Sequence, residues 1–299
     1  GDADFFGSSV SISDNGNIIA IAAMGSTSRG NSGSVKVFNQ TSQGWSQIGA
    51  DLESNNEIVS SRSEGHIKSI SLSSDGSLIA IGGPYINRGS DYYQRYVRVY
   101  QNQNNSWVQL GSDLNGRLWG GDYFGDSVAL SDNGKVLAVG VPDSYEVFHD
   151  TGLWNAGAVK IYEYLDHLSD WVKIGDDIYG KFRNETSGYS ISLNSSGNRV
   201  AIGAPNKWGH DNNGCSTRVY ERNNENWIQV GSDIFQEHNQ DGAGRSVSLS
   251  SDGSSVAIGA PFVRDTDGTT GEARVYKEYN GSWVQVGEDI VATESHGYG

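Results

Sequence analysis

The stretch SVSLSSDGSSVAIGAP, residues 246–261, is two short alternating runs joined at Asp252-Gly253. Every second residue of each run is apolar or small, the period of a pleated strand, and Asp-Gly favours the positive φ angles of a tight turn. The stretch predicts a β-hairpin closed by a two-residue turn. It is written four more times: SVSISDNGNIIAIAA from Ser9, SISLSSDGSLIAIGGP from Ser69, SVALSDNGKVLAVGVP from Ser127 and SISLNSSGNRVAIGAP from Ser190. Each hairpin is followed by a tryptophan phrase: WSQIGADL at Trp45, WVQLGSDL at Trp107, WVKIGDDI at Trp171, WIQVGSDI at Trp227 and WVQVGEDI at Trp283. A period of roughly 55–65 residues is the signature of a repeat architecture.

Each repeat carries four strand signals. The first two are the hairpin, the third is Val-Arg-Val-Tyr (Val97–Tyr100 and its equivalents), and the fourth starts at the tryptophan. In the first two strands large residues alternate with Ser, Ala or Gly, whereas the last two hold Tyr, Phe and Trp. Small inside and bulky outside is the taper of blades converging on an axis. All four prolines, Pro84, Pro142, Pro205 and Pro261, end the second strand, where a missing N–H does no harm. The expectation is an all-β fold, a β-propeller of four-stranded antiparallel blades in a five-bladed ring. One domain would span 1–299, with repeats at about 4–57, 64–118, 122–181, 185–237 and 241–293. The tail His296-Gly297-Tyr298-Gly299 matches Asp122-Tyr123-Phe124-Gly125 and reads as the start of a sixth copy. Together with Gly1 in place of Met, this suggests a processed form or a piece of a longer array.

Of the 299 residues 40 are glycine, and no segment sustains helical spacing of apolar residues. The net charge of −15 argues against nucleic acid as a partner, and no apolar run is long enough for membrane insertion as a helix. The lone cysteine, Cys215, excludes an internal disulfide and occupies a column of small residues, so a packing role is expected of it.

Phe6-Gly7 and Phe124-Gly125, followed by SV-x-[IL]-S, a glycine turn and G-[AV]-P, resemble the FG-GAP repeat family, whose repeats build β-propellers that include integrin α heads. Strings of the WxQLGxDI…GxSVSLSxDG kind are similar to repeat-rich secreted and cell-surface proteins. The resemblance implies a propeller and an extracellular or cell-surface location. It also implies calcium in a D-x-D-x-D-G-x-x-D loop, but that loop is here cut to Ser-x-Asp/Asn-Gly, too few oxygens for the ion. No cofactor is therefore expected. The one acidic loop of comparable richness, Asp265–Glu272, is a candidate calcium site whose favoured reading is a solvated loop.

Columns shared by every repeat read as structural. The five Gly-x-Asp aspartates (Asp51, Asp113, Asp177, Asp233, Asp289) are expected to cap turns. The acidic column Asp4, Glu64, Asp122, Glu185 and Asp241 either rings a cation or accepts backbone N–H bonds, the latter favoured. Individuality lies elsewhere. The position after the FG column reads Ser8, Lys68, Asp126, Tyr189 and Arg245; Lys68, Asp126, Tyr189 and Arg245 form a candidate channel mouth whose charges are expected to neutralise one another. The loops between second and third strands carry Tyr85, Tyr92, Tyr93, Phe148, His149, Trp154, Trp208 and His210, a candidate face for a glycan or an extracellular protein. Asn39, Asn104 and Asn280 are candidate glycosylation sites, placed in the turn between third and fourth strands.

No nucleophile elbow, HExxH or Cys/His cluster occurs, and the inner strands offer no odd carboxylate. The expected function is therefore a non-catalytic extracellular module, not an enzyme, that binds a glycan, a protein or copies of itself. A glycosidase-like enzyme and a self-assembling surface component are the alternatives.

Overall fold

The computed structural model describes residues 5–24, 33–53, 67–87, 93–118, 121–144, 154–206, 215–235, 241–262, 264–265, 268–269 and 271–291. They are all-β, and the repeats are the antiparallel blades of a β-propeller. The first blade runs β1 (Phe6–Ile12), β2 (Ile18–Ala23), β3 (Ser34–Thr41), β4 (Gly44–Gln47) and β5 (Leu52–Glu53). The second is β6 (Ser69–Leu72), β7 (Leu78–Asn87), β8 (Tyr93–Gln103), β9 (Ser106–Gln109) and β10 (Leu114–Leu118). The third is β11 (Val128–Leu130), β12 (Val136–Val141), β13 (Ala158–Leu165), β14 (Asp170–Lys173) and β15 (Ile178–Tyr179). The fourth is β16 (Ser190–Leu193), β17 (Arg199–Ala204), β18 (Ser216–Asn223) and β19 (Asn226–Phe235). The fifth is β20 (Ser246–Leu249), β21 (Ser255–Ala260), a small hairpin β22 (Arg264–Asp265) and β23 (Gly268–Thr269), then β24 (Glu272–Tyr279), β25 (Ser282–Gln285) and β26 (Ile290–Val291). Two compact units divide the chain, residues 1–139 with 162–173 and residues 140–161 with 174–299.

Three local expectations are corrected. The hairpin turn holds four residues, not two: Ser13 pairs with Ile18, and Gly16 N–H closes back on the Ser13 carbonyl. The Asn15 carboxamide accepts from the Asn17 N–H, and the Ser13 hydroxyl accepts from the Ile18 N–H. Asx and Ser caps thus replace the tight turn. Pro84 does not end its strand; β7 passes through it to Asn87, with a register shift between Gly82 and Tyr85 that spares the missing donor. The fourth strand is broken in four blades, its two pieces both pairing with the third strand. The break falls at the Gly-x-Asp motif, whose glycines Gly49, Gly111, Gly175, Gly231 and Gly287 all have positive φ, where a side chain would be strained.

Each unit has its own core built between blades. In the first, Ala20, Ala22, Val35, Val37, Ile48 and Leu52 of blade one pack on Ile67, Ile70, Leu72, Ile79 and Ile81 of blade two. In the second, Ala201, Val219 and Ile234 meet Leu249, Val256, Ile258 and Tyr276. Alanine on one side and branched residues on the other let the sheets approach closely, as the taper requires. Polar contacts pin these seams. The indole N–H groups of Trp107, Trp171 and Trp283 donate to the carbonyls of Ile48, Leu110 and Val230, at 3.0, 2.9 and 2.8 Å. Ser9 and Ser11 hydroxyls accept from the N–H of Ile70 and Leu72; Ser71 does so from Leu130, and Ser192 from Leu249.

Candidate functional site

The third strand of every blade carries a cation that pairs with the aspartate of Gly-x-Asp: Lys36–Asp51, Arg98–Asp113, Lys160–Asp177, Arg218–Asp233 and Arg274–Asp289. A glutamine four residues before the aspartate adds an N–H bond in four blades, from Gln47, Gln109, Gln229 and Gln285. The aspartates are thus structural, as their repetition implies, but they bind a side-chain cation and do not merely cap a turn. Hydrogen bonds from Lys36 hold the Asp51 carboxyl below its ordinary range against partial desolvation. For Asp233 burial pushes the pKa up, and bonds from Lys181, Arg218 and Gln229 overcome it and hold it low.

The acidic column also does structural service. Asp122 accepts from the Arg117 and Phe124 N–H groups, and Asp241 from the Ala243 N–H. Glu185 accepts from the Lys181 and Phe182 N–H groups and the Ser216 hydroxyl, and is paired with Arg218. Asp4 and Glu64 lie outside the described residues. Among the described residues no group of three or more His, Cys, Asp and Glu could hold a metal. In the acidic loop 265–272, Arg264–Asp265 and Gly268–Thr269 form the small hairpin, while Asp267 lies outside the description.

The sequence-derived candidates separate. Of the loop face, Trp154 is exposed, and its backbone carbonyl receives the Asn184 N–H. Tyr85 and Tyr93 lie on β7 and β8; Tyr92, Phe148, His149, Trp208 and His210 lie outside the described residues. Asn104 and Asn280 occupy exposed turns with positive φ, but Asn39 is corrected: it is half-buried within β3, paired with Ser46. Cys215 is buried with its Sγ 2.9 Å from the Pro205 carbonyl oxygen, and burial, then the Asp241 charge, pushes its thiol up to about 11. It is a packing residue.

The channel-mouth position differs in charge from blade to blade. The expected mutual neutralisation is corrected by the partners found. Asp126 is bound by Arg95, a fully buried guanidinium from β8 that also lies over the Tyr123 ring. Lys68 packs against Gly83. Arg245 has no carboxylate partner among the described residues. Its guanidinium carbon lies 5.3 Å from the Tyr189 ring and 5.2 Å from the Phe262 ring, in the exposed opening before β20. It edges a cleft of about 630 Å³ whose other walls include Ser246, Gly259 and Ala273. Aromatic faces hold the guanidinium in place without cancelling its charge. In a chain of net charge −15 such a cation is a ready seat for a small anion or for an oxygen gathering negative charge. The position was visible in sequence; its lack of a carboxylate partner among the described residues was not.

No family model matches the chain, and no curated protein matches it. Solved structures do. The Pseudomonas aeruginosa periplasmic gluconolactonase is 13% identical, over 95% of this chain and 71% of that one, with a TM-score of 0.57. A Bacteroides uniformis protein provisionally assigned as a 6-phosphogluconolactonase is 12% identical, over 95% and 85%, with a TM-score of 0.50. The tricorn protease matches 95% of this chain with 27% of its own, at 11% identity and a TM-score of 0.51. At these identities the likeness is one of fold. It corrects the expectation of a non-catalytic module and of a protein that is not an enzyme. That expectation rested on inner strands of serine and small apolar residues, whereas propellers of the same build bear the names of gluconolactonases. Near-identical blades do not preclude chemistry, because one substitution in one column, as at Arg245, breaks the symmetry.

Proposed function

We propose that this chain is a hydrolase that opens a polyhydroxylated acid lactone, and that it works outside the cytoplasm, in an extracellular or periplasmic compartment. The observation that supports the reading is Arg245, an exposed guanidinium between two rings with no carboxylate to neutralise it among the described residues. The gluconolactonases among the fold neighbours narrow the chemistry, and the periplasmic one supports the compartment. In lactone hydrolysis water adds to the carbonyl carbon and negative charge gathers on the carbonyl oxygen. The ring C–O bond then breaks, leaving a carboxylate and a hydroxyl. The forked N–H donors of Arg245 suit both the developing oxyanion and the carboxylate product. The Tyr189 and Phe262 faces suit the C–H side of a sugar ring.

The test is base consumption at constant pH with glucono-1,5-lactone and its 6-phosphate. Hydrolysis well above the spontaneous rate is expected. Arg245→Ala should lower kcat/KM by about 100-fold, the scale of one lost oxyanion donor. A rate equal to the spontaneous one, or an Arg245→Ala variant as active as the parent, overturns the reading.

A further inference from the structure

In an Asn-Gly pair the glycine nitrogen can approach the asparagine side-chain carbonyl carbon with no Cβ in the way, closing a five-membered imide ring. Four such pairs lie among the described residues: Asn15-Gly16, Asn115-Gly116, Asn133-Gly134 and Asn280-Gly281. A fifth, Asn213-Gly214, lies outside them. Three of the four are tied down. The Asn15 carboxamide oxygen accepts from the Ser13 hydroxyl and the Asn17 N–H, and the Asn133 oxygen from the Ser131 hydroxyl and the Lys135 N–H, all at 2.9 Å. In both pairs the glycine N–H donates to a main-chain carbonyl, that of Ser13 at 2.9 Å and that of Ser131 at 2.8 Å. Asn115 stands in β10 with its carboxamide donating to the Asp113 carbonyl, and Phe124 fills the space beside Gly116.

Asn280-Gly281 differs from these. It is the exposed two-residue loop between β24 and β25, closed by the Tyr279–Ser282 pair. The Asn280 carboxamide makes no hydrogen bond among the described residues, and nothing crowds Gly281. The Gly281 N–H donates to a carboxylate, Oε1 of Glu278, at 2.9 Å. The other oxygen of that carboxylate accepts from Arg199 at 3.1 Å, which fixes its position. These two bonds, that from Gly281 foremost, hold the Glu278 pKa below its ordinary value. Glu278 is therefore ionised at neutral pH, with one oxygen within proton-transfer distance of the Gly281 nitrogen.

We propose that Asn280-Gly281 is a site of self-modification, an intramolecular deamidation in which Glu278 is the general base. The Gly281 nitrogen bonds to the Asn280 side-chain carbonyl carbon as its proton passes to Glu278. The carbon–nitrogen bond of the carboxamide then breaks, and Glu278 returns the proton to the departing nitrogen, which leaves as ammonia. Water opens the resulting imide at either carbonyl, giving aspartate or isoaspartate at position 280. The second product puts an extra methylene into the main chain of a two-residue loop, which cannot then keep the Tyr279–Ser282 closure. The change falls at a clamp, because Arg199 bonds Glu278 together with Glu221 and the Gly253 carbonyl, joining blades four and five. The proposal is independent of the hydrolase reading.

The test is peptide mapping by mass spectrometry after incubation of the folded protein at neutral pH, with digestion in acid so that no further imide forms. The protein is made in a host that adds no N-glycan, which leaves the Asn280 carboxamide free to react. Asn280 should be converted to aspartate and isoaspartate faster than Asn15, Asn115 and Asn133 in the same sample. Glu278→Gln keeps an oxygen for the Gly281 N–H but removes the base, and should slow conversion of Asn280 on the order of 100-fold, the lower end of what a positioned base supplies. Loosening the Arg199 contact in that variant would quicken the reaction, so slowing reports the lost base and not a freer turn. An Asn280 that stays intact, a rate no higher than at the three tied pairs, or a Glu278→Gln variant that reacts as fast as the parent or faster overturns the proposal.

Discussion

The repeated cation–aspartate pair offers a comparison of one interaction at two depths. In blade four, Arg218 donates from Nε to Asp233 at 2.7 Å and from Nη2 to Glu185, and its side chain is 2% exposed. In blade one, Lys36 makes the equivalent bond to Asp51 at 2.7 Å with its side chain 35% exposed. Arg218→Met leaves Asp233 its bonds from Lys181 and Gln229 but strands the fully buried Glu185, which keeps two backbone donors and the Ser216 hydroxyl and loses its guanidinium. Removing one partner of such a buried pair costs about 3–5 kcal/mol. At roughly 2 °C per kcal/mol for a chain of this length this is a fall in Tm on the order of 5–10 °C. Lys36→Met breaks a pair that water already screens and should cost about 0–1 kcal/mol. A second variant isolates the cause: Glu185→Gln added to Arg218→Met removes the stranded charge and should restore part of the loss. Urea denaturation followed by tryptophan fluorescence reads all three. Equal losses for Lys36→Met and Arg218→Met, or a double variant less stable than Arg218→Met alone, would refute the argument from burial.

Two further outcomes follow from the titrating groups. Asp51 and Asp233 have folded pKa values below the ordinary 3.8, so their stabilisation is present above that pH and is lost as pH falls through the folded values. The urea midpoint should hold steady from about pH 5 to 8 and drop steeply below about pH 4; an unchanged midpoint at pH 3 would contradict this. The Cys215 thiol, pushed up to about 11 and buried, should resist thiol reagents at pH 8 in the folded protein and react stoichiometrically in denaturant. Rapid labelling of the folded chain would contradict its placement.

The blades were legible because alternation and turn residues are local signals, written five times over. Side-chain partnership is not local. The cation column was present in the sequence as Lys36, Arg98, Lys160, Arg218 and Arg274, and its separation of 15 residues from the aspartate repeats in blades one, two, four and five. A comparison of columns at fixed spacing would have found it. The pairing of Asp126 with Arg95 could not have been found that way, since Arg95 stands in a segment peculiar to blade two. Nor does a composition table distinguish an arginine paired with carboxylates, like Arg274, from one with no carboxylate beside it among the described residues, like Arg245. The four-residue hairpin loop was misread because Asn-Gly signals a tight turn only where no serine one strand-end away captures the backbone first, as Ser13 does.

The indole-to-carbonyl latch has a genetic corollary. Because three seams present the same donor to the same acceptor, the boundary after one of those repeats is interchangeable with the boundary after another, whereas the Trp227 indole nitrogen is buried without a hydrogen-bond partner among the described residues. Unequal recombination that removes or duplicates a whole repeat therefore rejoins surfaces that already fit. A cut falling within a blade would leave an indole facing no carbonyl and a serine facing no amide. Such a gene is free to change length in whole units while point changes accumulate in the loops, where no seam constrains them.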